Sequence, residues 1–216
     1  MDEDDVRIRP NPRGSRPRSK QRPAHGDAAD GMVIAVDRGR YEVLVNDVAV
    51  TAMRARELGR KGIAVGDDVS VVGDLSGTDD TLARIVRLAE RRTVLRRTAD
   101  DNDPFERVIV ANADQLVIVA ALADPEPSFG LIDRCIVAAL TAGMEPVLCL
   151  TKADLASAEP TLARYEALSV PSVVTRRGGP LDEVRDRLRG QMSVLVGHSG
   201  VGKSTLINAL VPDATR

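Results

Sequence analysis

Residues Gly197 to Ser204 read GHSGVGKS and match the phosphate-binding pattern G-x-x-x-x-G-K-[ST] at every fixed position. Glycines there let the backbone turn so that its N–H groups point inward at phosphate oxygens. A helix opening inside the loop adds the favourable field of its N-terminus. On this reading Lys203 reaches the β- and γ-phosphates, the Ser204 hydroxyl ligates Mg²⁺, and Thr205 hydrogen-bonds the α-phosphate. His198, Ser199, Gly200, Val201 and Gly202 form the body of the loop. His198 holds a variable position and is given no catalytic role; no water-activating residue is identified.

The choice of base rests on a second stretch, LTKADL, residues 150 to 155. It follows an apolar run, EPVLCL, so Thr151, Lys152, Ala153 and Asp154 sit at the carboxyl end of a predicted strand, where ligands bind in such folds. Asp154 can accept hydrogen bonds from guanine N1–H and its exocyclic amino group. Adenine lacks that N1–H. A partly buried carboxylate left unpaired costs about 1–3 kcal/mol, which disfavours ATP at least roughly tenfold. Lys152 can lay its aliphatic stem on the base and help hold the phosphate loop. Thr151 stands where such motifs usually carry Asn, so a hydroxyl replaces an amide and affinity is expected to fall somewhat. A third guanine loop is expected after VPSVV, with Thr175 as its candidate; Arg176 and Arg177 follow it.

Elements must position these residues. From Gly31 to about residue 95, five or so short strands alternate with turn signals such as DRGR and VNDV, which suggests a small closed β-barrel. Barrels of this size often bind oligonucleotides. Beyond RRTVLRR the pattern changes. DQLVIVAAL, EPVLCL, VPSVVT and MSVLV read as strands of a parallel sheet. LIDRCIVAALTAG (closed by Gly143), AEPTLARYEAL, GPLDEVRDRLRG and KSTLINALV (stopped before Pro212) read as helices between and after them. Leu181, Val184 and Leu188 share one face of the third. Alternating strands and helices predict a doubly wound α/β sheet.

Composition supports a globular chain: 216 residues, 43% hydrophobic and 29% charged, with a net charge of -2. No apolar run is long enough to span a bilayer, and no secretory signal is visible, so a cytoplasmic location without membrane attachment is expected. Cys135 and Cys149 read as buried thiols of a reducing compartment. Between Val6 and Pro23 lie Arg7, Arg9, Arg13, Arg16, Arg18, Lys20 and Arg22 without an acid, and with prolines that disfavour a core. This reads either as a solvated tail or as an arm for nucleic-acid phosphate. Arg91, Arg92, Arg96 and Arg97 in ERRTVLRR either face RNA or belong to a solvated linker.

The order of the motifs is unusual. In an ordinary GTPase the phosphate loop precedes the base motif; here Asp154 precedes Gly197. Both belong to one predicted sheet, so the domain reads as circularly permuted, which is tolerated because domain termini lie near each other. A barrel followed by such a domain resembles the RsgA (YjeQ) small ribosomal subunit biogenesis GTPase family. The likeness runs from about residue 31 to 216, through GRYEVL, GIAVGDDV, RRTVLRR, ANADQLVIV, LIDRCIVAA, EPVLCLTKADL and VLVGHSGVGKSTLINAL. It implies an OB-fold barrel contacting 16S rRNA, GTP hydrolysis with Mg²⁺ stimulated by the 30S subunit, and a role in late 30S maturation by a monomer. It divides the chain into a basic tail (1–30), an OB-fold-like barrel (31–95) and a partial permuted GTPase domain (96–216). The family also implies a switch segment, a DxPG motif and a Zn²⁺ domain with Cys and His ligands. These motifs do not follow the phosphate loop before DATR, so a truncated, weakly hydrolysing chain is expected. Two competing expectations are a P-loop ATPase or small-molecule kinase, and a non-hydrolysing RNA-binding module.

Overall fold

The computed structural model describes residues 25–59, 62–78, 81–98 and 106–211. The basic segment from Val6 to Pro23, the Arg97 side chain, the helix stop at Pro212 and the DATR end fall outside the described residues.

Strands β1 (Ala29–Asp37), β2 (Arg40–Val45), β3 (Val48–Arg54), β4 (Asp68–Val72) and β5 (Ala83–Leu88) close a barrel in the order β1-β2-β3-β5-β4. This is consistent with the expected OB-like barrel. Alternation fills it: Tyr41, Val43 and Val45 of β2 point inward, with Val50, Val71 and Ile85 opposite. Two hairpin turns set the β1–β2–β3 register. Arg38 and Gly39 have φ 43 and 85, and Asn46 and Asp47 have φ 47 and 64. Positive φ at both central residues matches the twist of the flanking strands.

The first two arginines of RRTVLRR make contacts at the junction of the barrel with the rest of the chain. Arg91 forks onto the fully buried Asp67, Nε to Oδ1 at 2.6 Å and Nη2 to Oδ2 at 2.7 Å. Its Nη2 also donates to Gly62 O. Arg92 donates from Nη1 to Asp114 Oδ1 at 3.1 Å and from its backbone N–H to Asn112 Oδ1 at 2.8 Å. Arg91 is largely engaged there, while Arg92 stays well exposed. The remainder forms β6 (Val94–Thr98), which pairs antiparallel with β7 (Glu106–Ala111). Sequence patterning assigns no strand to ERVIVA. The barrel meets this hairpin where Ala111 N–H donates to Val65 O and the buried Asn112 amide donates to Gly66 O.

The rest is a parallel sheet ordered β10-β9-β8-β11. It is built from β8 (Gln115–Ala121), α1 (Phe129–Thr141), β9 (Glu145–Thr151), α2 (Glu159–Tyr165), β10 (Ser172–Val174), α3 (Asp182–Leu188), β11 (Ser193–Val196) and α4 (Lys203–Leu210). The chain runs outward from β8 through β9 to β10, then jumps back to the other side of β8. Leu116, Ile118, Leu148 and Leu150 pack against Ile132 and Ile136 of α1 and Tyr165 of α2. Val117, Val119, Val147 and Cys149 face Val184 of α3 and Leu206 of α4. Helices therefore cover both faces, as expected. Leu181 and Leu188 join Val184 in that second core, again as expected.

The four residues of β11 are each half-buried, because among the described residues it is the outermost strand beyond β8. One expectation needs correcting. Cys135 is half-buried on α1 rather than sealed in the core, while Cys149 is fully buried. Burial pushes the Cys149 thiol up to about 12 and raises that of Cys135. No helix among the described residues is long and apolar enough to cross a membrane.

Candidate nucleotide site

The point where the chain reverses, between β8 and β11, is where an open α/β sheet forms its ligand crevice. GHSGVGKS leaves β11 at that point. Gly197 must be glycine because of space: a Cβ there would lie 2.2 Å from Val119 O on β8. Gly202, at φ 96, caps α4 in a conformation that L side chains rarely adopt. The Lys203 ammonium folds back over the loop and donates to Gly197 O at 2.7 Å and His198 O at 2.5 Å. Phosphate oxygens are the acceptors that could replace those carbonyls. Ser204 and Thr205 are exposed in the first turn of α4.

The loop after β9 is knitted to this one. The Thr151 hydroxyl, 6% exposed, donates to Val201 O at 2.6 Å. Lys152 takes a left-handed backbone conformation at φ 59, and its ammonium donates to Asp124 O. Ala153 N–H donates to Thr175 O at 3.1 Å, and Leu155 N–H to Lys152 O at 2.9 Å. The two stretches singled out in the sequence thus meet, although the order of strands separates them by β8.

Between them lies an open cavity of about 400 Å³. Thr151, Lys152, Thr175, Gly200, Gly202 and Thr205 line it. Its other lining residues include Arg176, Arg177 and Gly179, to which sequence patterning gives no role. The signal was available: they occupy the carboxyl end of a sheet strand. The charged lining residues are all cations, Lys152, Arg176 and Arg177. Such a concave basic wall favours an anionic ligand.

Asp154, Ala153, His198, Ser199, Val201, Gly197, Lys203 and Ser204 do not line that cavity among the described residues. Val201 is buried beneath it, and His198 reaches a smaller cleft shared with Pro125 and Ser128. Asp154 is exposed, not partly buried. The penalty for leaving it unpaired is correspondingly smaller, because water can satisfy it. Thr175 also departs from expectation. It is 7% exposed, and its backbone N–H already donates to Leu150 O at 2.7 Å. That N–H is not available to a base oxygen; the residue instead fixes the Ala153 loop. For Mg²⁺ the fit is partial: Ser204 offers one hydroxyl beside the phosphate loop, and no carboxylate lines the cavity. No group of three His, Cys, Asp or Glu among the described residues could hold a metal ion.

Known proteins resemble this chain in sequence and in fold. Small ribosomal subunit biogenesis GTPase RsgA of Burkholderia pseudomallei is 36% identical over 199 residues, covering 88% of this chain and 60% of that protein. The Paraburkholderia xenovorans protein of the same name is 34% identical, covering 93% of this chain and 63% of its own length. The chain therefore spans under two thirds of those relatives. Among solved structures, YjeQ from Thermotoga maritima superposes with a TM-score of 0.67 at 26% identity, covering 87% of this chain and 66% of that one. YloQ, described as a circularly permuted GTPase, shares the fold at a TM-score of 0.64 and 24% identity, covering 89% and 67%. The RsgA GTPase family model matches residues 88–216, well over half of the sequence, and so the chain belongs to the RsgA GTPase family.

Proposed function

We propose that this chain binds GTP and GDP across the GHSGVGKS and TKAD loops and the cavity between them, as the nucleotide-binding part of a small ribosomal subunit biogenesis GTPase. The observation that carries the reading is the Thr151 hydroxyl bonded to Val201 O, which locks a base-side loop to a phosphate-side loop around a basic cavity. Gly197 to Thr205 hold the phosphates, with Lys203 exchanging loop carbonyls for phosphate oxygens. Thr151 to Asp154 hold the base. Mg²⁺ neutralises phosphate charge when bound, and Ser204 is the residue that holds it. The relatives' name supports a place in small-subunit assembly. In that role the barrel (31–95) contacts 16S rRNA, the permuted domain (96–216) hydrolyses GTP under stimulation by the 30S subunit, and the protein acts late in 30S maturation, as a cytoplasmic monomer.

The test is equilibrium binding of GDP, GTP and ATP to the chain. Guanine nucleotides should bind at least about threefold more tightly than ATP, a modest ratio because Asp154 is exposed. Asp154→Asn should erase the preference. Equal affinity for ATP, or an Asp154→Asn variant with the preference intact, sinks the guanine assignment. The exposure of Asp154 also favours one competing reading, a P-loop nucleotidase with little base selection, and the same titration decides between them.

A further inference from the structure

The base end of the cavity carries a side chain that neither motif accounts for. Arg176, at the end of β10, lines the cavity together with Gly178 and Gly179. The turn from Arg176 to Gly179 is closed by Gly179 N–H donating to Arg176 O at 3.0 Å. A Cβ on Gly179 would stand 2.7 Å from Arg176 Cγ and 3.3 Å from its Nε. The arginine is therefore folded back over a glycine that leaves it room.

Position says what it would meet. β10 is three strands from β11 across the sheet. At about 4.8 Å per strand, that is roughly 14 Å from the phosphate loop. A nucleotide anchored at GHSGVGKS would present its base there, not its phosphates. Lys152 stands on the neighbouring strand end with its ammonium occupied by Asp124 O, so it offers its stem. No acid lines the cavity to draw Arg176 away.

We propose that Arg176 is a base-covering residue: its planar guanidinium stacks on the face of the bound purine. This rests on the guanine-nucleotide reading above. A guanidinium stacks on aromatic faces in a way an ammonium does not. The contact raises affinity for the nucleoside without choosing among purines, which leaves selection to Asp154.

The experiment measures affinity for guanosine, GMP and GDP, at low and high salt, in the wild-type chain and in Arg176→Ala, Arg176→Lys and Gly179→Ala. Arg176→Ala should weaken all three ligands by the same factor, about three- to thirtyfold, with little dependence on salt. Arg176→Lys should fail to restore affinity, since charge without the plane is not enough. Gly179→Ala, which displaces the arginine, should give a smaller loss of the same pattern. A loss that grows with phosphate number and fades in salt overturns stacking in favour of a phosphate contact. Wild-type affinity in Arg176→Ala overturns the inference alone. A wild-type chain that binds no guanine ligand overturns the nucleotide reading with it.

Discussion

The Thr151 hydroxyl donates to a carbonyl on Val201, itself buried, so replacing the donor strands an acceptor that water cannot reach. Thr151→Val keeps the shape and removes the bond. It should cost about 1–3 kcal/mol, read as a lower urea midpoint, and weaken GDP binding in parallel. Thr151→Asn, which can still donate, should keep most of both. A valine variant as stable and as tight-binding as the parent would show that the loops are held by packing instead. At this scale the sequence was legible where a motif fixes residue type at a spacing. Lys203, Gly197 and Thr151 were singled out that way, and each makes a contact of the two loops: Lys203 with Gly197 O and His198 O, Gly197 against Val119 O, Thr151 with Val201 O. Exposure of Asp154 and the engaged N–H of Thr175 were not legible. Both depend on how neighbouring loops close over the strand ends, and no spacing within LTKADL or VPSVVT encodes that.

Elements bring the loops within reach, and one tight passage is where β11 hands over to its loop. There the Gly197 backbone runs against Val119 O of β8. Gly197→Ala forces backbone against backbone, with no flexible side chain to yield. It should destabilise the chain by about 2–3 kcal/mol and open the phosphate loop. Denaturation together with GDP titration checks this; an alanine variant with unchanged midpoint and affinity would refute the close approach. Continuous apolar runs such as QLVIVAA and VLCL made the inner strands readable, since a parallel strand covered on both faces shows no alternation. The β6–β7 hairpin was hidden because its arginines looked like a charge run. β11 was readable as a strand because MSVLV carries the same apolar signature as its buried neighbours.

Across the whole molecule, a chain of polar contacts joins the barrel to the strand that precedes the phosphate loop. Asp67 holds Arg91, Asn112 and Asp114 hold Arg92, and Asp114 Oδ2 accepts the Met192 N–H at 2.7 Å. The Met192 bond first, and the Arg92 bond second, hold the Asp114 carboxyl below its usual range. A carboxyl depressed in the folded state contributes stability that is fully present above its unfolded value, near about 3.9, and is lost as pH falls through the folded value. Asp114→Asn should therefore be less stable than the parent at neutral pH, with the difference shrinking on acidification below about pH 4. Urea midpoints against pH read this directly; parallel curves would remove Asp114 from the account. The permuted order was plain from the motifs alone. The joint was not, since its partners lie far apart in the sequence and carry no motif.

Because the motif order is inverted, the two halves of the nucleotide site form from chain synthesised at different times. β8, β9 and β10, with the TKAD loop, can assemble through near-neighbour crossovers. β11 must then find the free side of β8, a closure spanning the 78 residues between Gln115 and Ser193. Such long-range pairing is slow, because loop entropy is lost before contacts compensate it. A nucleotide bound as proposed, in reach of both halves, would act on this step as a clasp, favouring the docked strand by mass action. The ligand would thus be a participant in the maturation of the very domain proposed to bind it.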